Sequence, residues 1–232
     1  MSESATYWAV VPAAGVGKRL GGAIPKQYQR ILGKTLLEHT LDKLLAVSAI
    51  EKIIVALSPV DTYWSELSCR HHARIATVIG GQERADSVLS ALNGLPQDTT
   101  INHWVLVHDA ARPCVVLEDI HALMANPTEQ GAILATPVSD TVKSVRGKDI
   151  TATVDRTALW SAQTPQMFPL HALRQALTDA LAQKRPVTDE ASAMELAGWQ
   201  PQVVAASRHN IKVTHPEDLA LAELILTNQL KG

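Results

Sequence analysis

Short β-branched runs and helical patterns take turns along most of the chain, and that alternation constrains the fold more than any other feature. Trp8 to Val11 is followed by "LLEHTLDKLLAV" and "KIIVAL", then, after a polar segment, by "IATVIGG", "ERADSVLSALNGL" and "HWVLVHDAARP". Strands joined through helices pair in parallel, so the pattern predicts an α/β, Rossmann-like fold with a mostly parallel central sheet flanked by helices. The first helix is well marked. Thr35 and Glu38 form a Thr-x-x-Glu capping box, and Leu37, Leu41, Leu44 and Leu45 recur on one face. A chain of 232 residues with 46% hydrophobic content can bury a sizeable core, so one domain over 1–232 is expected.

The pattern changes after "GAILATPVSD". Residues 139–158 read as two short strands joined by a turn at Arg146-Gly147-Lys148-Asp149, with little apolar surface on either side. A hairpin that cannot bury a face of its own leans on something else, and a protruding arm is expected here. Helical patterns return in "LHALRQALTDALAQ" and "TDEASAMELAG", followed by the strand "QVVAA". Thr214-His215-Pro216-Glu217 announces a last helix, with Thr214 as cap, Pro216 in the first turn and Glu217 completing a capping box.

Composition narrows the function classes. A net charge of −2 gives no general attraction for nucleic acid or an anionic membrane, so an anionic ligand has to be held by locally placed cations. Cys69 and Cys114 show no metal or redox spacing, which fits a reduced, cytoplasmic protein. The opening "MSESATYW" lacks the basic and apolar pattern of a signal peptide, and no apolar run reaches the length of a spanning helix. Gly-x-Ser-x-Gly, His-Glu-x-x-His and Cys/His nucleophile patterns do not occur.

The first strand runs into "VVPAAGVGKRLGGAIPKQY", a loop of small residues set with cations. A dinucleotide fingerprint fails because Leu20 stands at its third glycine position. A P-loop fails because Tyr28 stands at the first glycine before Gly33-Lys34-Thr35, where Thr35 already serves as a cap. A long glycine loop at the carboxyl end of a first strand, with Lys26 fixed behind Pro25, still suits a phosphate. Asp109 follows the apolar run "WVLVH" and so lies at a second strand's carboxyl end, where it is as readily a turn residue as a magnesium ligand. Ala110 and Ala111 leave room beside it for a sugar, and Arg112 suits a phosphate. His108 reads as a packed or hydrogen-bonded neighbour rather than a metal ligand, Arg84 as either a phosphate or ribose contact or a solvated or structural charge, and Met167 and Phe168 as core or interface residues.

"PAAGVGKRLGGAIPKQ" resembles the signature loop of sugar-phosphate nucleotidyltransferases. With "GGQERADSV", "VLVHDAARP", "PVSDTVK", "VDRTALWSAQTPQMF", "TDEASAMELAG" and "NIKVTHPEDLALAE" in order, the chain is similar over nearly its whole length to the 2-C-methyl-D-erythritol 4-phosphate cytidylyltransferase family of the non-mevalonate isoprenoid pathway. The resemblance implies a nucleotidyltransferase fold and attack by a phosphomonoester oxygen on the α-phosphorus of CTP, releasing pyrophosphate. It implies Arg19 and Lys26 as catalytic cations, and Pro12, Ala13, Ala14, Gly15, Gly81, Gln82, Ser87 and Ala110 as the nucleotide site. Asp109 would hold Mg²⁺ or another divalent cation such as Mn²⁺. Arg112, Thr141, Arg156, Thr164 and Lys212 would position the polyol phosphate. A homodimer is implied in which the 139–158 arm crosses to the partner and carries Arg156 into its site. Another acceptor, such as ribitol 5-phosphate, is the nearest alternative reading. A noncatalytic nucleotide-binding protein is the more distant one, and the joint presence of Arg19, Lys26, Asp109, Arg156 and Lys212 speaks against it.

Overall fold

The computed structural model describes residues 5–15, 24–97, 102–126 and 128–231. Strand β1 (Thr6–Pro12) runs through the middle of a seven-stranded sheet. On one side lie β4 (Ile50–Leu57) and then β5 (Ile75–Ile79). On the other lie β6 (His103–Val107), β10 (Trp160–Pro169), β7 (Ala132–Pro137) and β11 (Gln202–Ala205), in that order. The pairs β1–β4, β1–β6, β4–β5 and β7–β11 are parallel, whereas β10 is antiparallel to both neighbours. The chain leaves β1 for β4 and β5, then crosses back to β6 on the opposite flank. The strand order therefore reverses at β1, and the carboxyl ends of β1 and β6 border the crevice where open α/β sheets bind their ligands.

Central strands must be apolar on both faces, and β1 satisfies this with Ala9, Val10 and Val11, all fully buried. Ala9 and Val11 pack with Leu37, Leu41 and Leu44 of α1 (Leu36–Ala46) and with Ile120 and Leu123 of α3 (Leu117–Met124). Val10 faces the opposite layer, where α2 (Arg84–Asn93), α4 (Leu170–Ala182) and α5 (Glu190–Leu196) supply Val88, Leu92, Leu173, Leu177 and Met194. Each such side chain stabilises the fold by about 1.5–3 kcal/mol through burial. Helix α6 (Pro216–Gln229) closes a third cluster with Leu36, Cys114 and Val213. A small hairpin of β2 (Arg30–Ile31) and β3 (Lys34–Thr35) turns through Gly33 just before α1. The Thr35–Glu38 capping box forms as expected, with Thr35 Oγ1 accepting the Glu38 N–H at 3.1 Å and Glu38 Oε2 accepting the Thr35 N–H at 2.9 Å.

Several elements have no counterpart in the sequence reading, among them the β2–β3 hairpin, β10 and α3. Strand β10 escapes it because Gln163, Pro165, Gln166 and Pro169 interrupt its apolar run, although Met167 and Phe168 are core residues as expected. Helix α3 is only eight residues long and shows too few turns to establish a period. The start of α6 needs a correction. His215, not Thr214, is the N-cap, and the Asp218 carboxylate, not Glu217, accepts the backbone N–H groups of Thr214 and His215, each at 2.8 Å. Pro216 occupies the first helical position, where its missing N–H costs nothing, and this shifts the cap by one residue.

The expected arm is present as β8 (Val142–Arg146) and β9 (Asp149–Val154), an antiparallel pair that turns through Gly147 and forms a two-stranded sheet of its own. Val145 and Ile150 are exposed on it.

Gly131, which leads into β7, has φ +80°, and a Cβ built there would lie 2.1 Å from Phe168 Cδ1. Gly131→Ala therefore combines a left-handed backbone with a clash against a fully buried ring, and should destabilise the protein by about 3 kcal/mol. Urea unfolding checks this; an unchanged midpoint would show that Phe168 can move aside.

Candidate active site

Three strand ends build the crevice. At the end of β1, the Ala13 N–H donates to Ala56 O at 2.8 Å and the Ala13 carbonyl accepts from Gln27 Nε2 at 2.7 Å. Gln27 is buried in the short 3-10 turn Lys26–Tyr28, so this bond fixes the turn that carries Lys26 to the backbone just after β1. Tyr28 anchors the same turn from behind: its hydroxyl donates to Asp61 at 2.7 Å and its ring stacks on Tyr63 with centroids 5.0 Å apart. After β5, a Cβ on Gly80 would lie 2.6 Å from Ala14 Cβ and 2.8 Å from Ser87 Oγ, so the second loop meets the first with room only for hydrogen. Ser87 Oγ accepts the Gly81 N–H and donates to Glu83 O, both at 3.1 Å, which pins the 81–83 backbone to α2.

At the end of β6 stands Asp109, buried and surrounded by cations. Arg84 Nε lies 2.9 Å from Oδ1, Lys212 Nζ 2.8 Å from Oδ2 and Arg112 Nε 3.6 Å from Oδ2. Burial alone would push the Asp109 carboxyl up; Arg84, Lys212 and Arg112 outweigh it and hold the group far below the usual carboxylate range. Arg84 has a second partner. Its two terminal nitrogens reach the two oxygens of Glu190 at 2.6 and 3.0 Å, and Glu190 is 1% exposed. Three cations against two carboxylates leave the cluster one positive charge in excess, which suits an anionic ligand.

A second chain of hydrogen bonds fixes the Asp109 backbone. Thr164 Oγ1 accepts the Asp109 N–H at 3.0 Å and donates to His108 Nδ1 at 2.9 Å, while His108 Nε2 lies 3.1 Å from the Arg112 carbonyl. The carbonyl requires Nε2 to carry the hydrogen, which assigns the neutral tautomer. His108 is thus the hydrogen-bonded neighbour expected from its position. The "NIKVT" segment docks onto the same turn: Val213 N–H donates to Ala111 O at 2.9 Å and Arg112 donates to Asn210 O at 2.6 Å.

Two adjoining clefts result. The first, of about 310 Å³, is lined by Pro12, Ala13, Ala14, Gly15, Lys26, Gly81, Gln82, Ser87 and Ala110. The second, of about 200 Å³, is lined by Arg112, Thr164, Gln163 and Thr188. Arg84, Asp109 and Lys212 line both and form the partition between them. The nucleotide residues expected from the sequence thus come together in one chain, with Lys26, Asp109 and Lys212. Thr141 and Arg156 do not join them: both are exposed at the base of the arm and line neither cleft. Arg19 lies outside the described residues, as do Gly17, Lys18, Gly21 and Gly22. The hydroxyl of Thr164 is taken by Asp109 and His108, so it braces the turn.

The family profile described as 2-C-methyl-D-erythritol 4-phosphate cytidylyltransferase matches residues 7–228. The chain belongs to that cytidylyltransferase family. It is 55% identical over 224 residues to the enzyme of that name from Vibrio vulnificus (strain YJ016), covering 95% of this chain and 94% of the relative. It is 54% identical over 220 residues to the one from Haemophilus influenzae (strain PittGG), covering 94% and 96% respectively. Among solved structures, the Francisella tularensis cytidylyltransferase superposes with a TM-score of 0.80 at 38% identity, covering 95% of this chain and 99% of that one.

Within this cytidylyltransferase fold, sequence reasoning missed Glu190 and left Arg84 undecided. A glutamate after Asp189 reads as ordinary first-turn acid at the start of α5, and nothing local signals that it is buried against a residue 106 positions away. Among the described residues, no cluster of three or more His, Cys, Asp or Glu side chains could hold a metal.

Burial pushes His108 down to about 4 from 6.5. Its folded form stays neutral above that value, while the unfolded chain takes a proton near 6.5. Stability should therefore fall as pH drops from about 6.5 to about 4, by up to about 3 kcal/mol from this residue. Urea unfolding of wild type and His108→Gln across that window isolates the contribution; parallel curves would show that His108 accepts a proton in the fold.

Proposed function

We propose that the chain transfers the cytidylyl group of CTP to 2-C-methyl-D-erythritol 4-phosphate, forming 4-diphosphocytidyl-2-C-methyl-D-erythritol and pyrophosphate. The observation that carries this reading is the partition. Asp109 and Lys212 line both clefts, so a nucleotide in the first and a phosphate monoester in the second would meet at the same charged wall. Family membership supplies the substrates.

In this reading the cytosine rests against the 81–83 backbone held by Ser87, which offers fixed groups to the N4 amino donor and the O2 acceptor. Uracil presents an acceptor in place of that donor and leaves a buried partner unsatisfied. The triphosphate crosses the Ala13–Gly15 backbone toward Lys26, with Arg19 as a second cation carried over from the family resemblance. The acceptor phosphate faces Arg112 and Lys212. A phosphate monoester has its second pKa near 6 and is mostly ionised at neutral pH, so attack on the α-phosphorus needs no general base. The P–O bond to the β-phosphate breaks as the new P–O bond forms, and the protein aligns the two anions and neutralises their charge. Asp109, whose oxygens are engaged by Arg84 on one side and by Lys212 and Arg112 on the other, would exchange one of these cations to hold Mg²⁺ or Mn²⁺, and a single carboxylate is enough where the other ligands are substrate phosphates and water. When bound, the ion offsets charge on the phosphoryl oxygens.

The arm is part of the same proposal. Arg156 and Thr141 are exposed and line neither cleft, and a two-stranded ribbon with Val145 and Ile150 in water gains from a covering surface. A two-fold homodimer in which each arm crosses to its mate would supply that surface and bring Arg156 to the partner's second cleft. A cytoplasmic location agrees with two free cysteines, and no helix among the described residues is long and apolar enough to cross a membrane.

Pyrophosphate release measured for four nucleoside triphosphates against several polyol phosphates tests the reading. CTP with 2-C-methyl-D-erythritol 4-phosphate should dominate; faster turnover with ribitol 5-phosphate would move the acceptor, and CTP binding without turnover would remove the activity. Lys26→Ala should lower kcat by about a hundredfold with a smaller change in KM, because its charge counts most where transition-state charge accumulates. A raised KM with normal kcat would contradict that role.

Mixing Lys26→Ala and Arg156→Ala chains after dissociation tests the arm. Half of randomly formed dimers are mixed, and each mixed dimer has one intact site, so about one quarter of wild-type activity should return. No recovery after verified mixing would place Arg156 in its own chain's site.

A further inference from the structure

Glu190 is the first residue of α5 and lines neither cleft. Both of its oxygens go to Arg84, at 2.6 and 3.0 Å, and the third nitrogen of the same guanidinium goes to Asp109 at 2.9 Å. Arg84 is therefore a rigid bridge between two buried carboxylates, with all three nitrogens engaged in a planar fork. We infer that Glu190 is a positioning residue for the transfer, fixing through Arg84 both the orientation of Asp109 and the charge of the partition; this rests on the cytidylyl-transfer reading above.

Two consequences follow from its place behind the bridge. The first is geometric. With Glu190 present, Arg84 is held from the side away from the clefts and approaches only Oδ1 of Asp109, leaving Oδ2 to Lys212 and Arg112. Without that hold, the guanidinium is free to swing toward the cleft it already lines. The second is electrostatic. Glu190 supplies one of the two negative charges that offset Arg84, Arg112 and Lys212. Removing its charge doubles the positive excess from one to two, which attracts a bare triphosphate and repels a divalent cation.

The two effects have opposite signs, and a residue that only packed α5 would produce neither. In Glu190→Gln, affinity for CTP without metal, measured by calorimetry, should tighten by about threefold, while the Mg²⁺ concentration for half-maximal pyrophosphate release should rise by about tenfold. Glu190→Asp keeps the charge but shortens the reach by one methylene. By loosening the hold on Arg84, which can then swing toward the cleft, it should shift both constants in the same directions by about twofold with no change in charge, which keeps the test open if the glutamine variant does not fold. Both constants at wild-type values in either folded variant, whatever the melting temperature, would overturn the inference. A wild-type protein that neither binds CTP nor releases pyrophosphate would instead overturn the reading on which it rests.

Discussion

The arrangement depends on one buried carboxylate and the charges that compensate it. Asp109 could not remain ionised where it lies without partners, since desolvation of a charge costs far more than a single exposed ion pair returns. Its partners come from separate parts of the chain: Arg84 opens α2, Arg112 lies in the turn after β6, and Lys212 lies between β11 and α6. Neutralising Asp109 therefore draws three segments to one point. Glu190 extends the same constraint to α5, so the helices on one face of the sheet are tied to the chemistry at its edge.

Backbone positions are fixed in the same economical way. Gln27 ties the Lys26 turn to Ala13, Ser87 ties Gly81 to α2, and Thr164 ties the Asp109 N–H to a neutral His108. The Gln27 and Thr164 bonds are buried, where an unmade hydrogen bond is expensive, the Ser87 bond is partly so, and each acts on a residue beside the crevice. Lys26, Arg84, Asp109 and Lys212 bring charge to the crevice, while Gln27, Ser87, Thr164 and His108 hold the backbone around it by hydrogen bonds. Such preorganisation is what phosphoryl transfer asks of a protein, because the nucleophile arrives ionised and the remaining barrier is alignment and charge.

Much of this was legible in the sequence. The periodicity of "LLEHTLDKLLAV" and the Thr35–Glu38 box place α1, and "WVLVHDAARP" places Asp109 beyond a strand, because both signals are local. What was not legible is either irregular or distant. Strand β10 carries two prolines and two glutamines through the sheet centre, a pattern that no period of two describes. Its polar residues are explained only by partners elsewhere: Gln166 donates to Asp189 at 2.8 Å and Gln163 accepts from Asn210 at 3.1 Å. The cap of α6 was displaced by one residue because Pro216 could take either of two first-turn positions. Arg84 could not be assigned without Glu190, and Glu190 could not be assigned without the fold.

Pyrophosphate release by a folded Asp109→Asn protein, at saturating CTP, acceptor and Mg²⁺, tests the place of this carboxylate most directly. The side chain keeps its shape and loses its charge, so Arg84, Arg112 and Lys212 are left without the group that collects them. Turnover should fall by about a hundredfold or more while circular dichroism stays that of the wild type. Turnover within about twofold of wild type would contradict the account, because the partition would then work without the charge on which it is built.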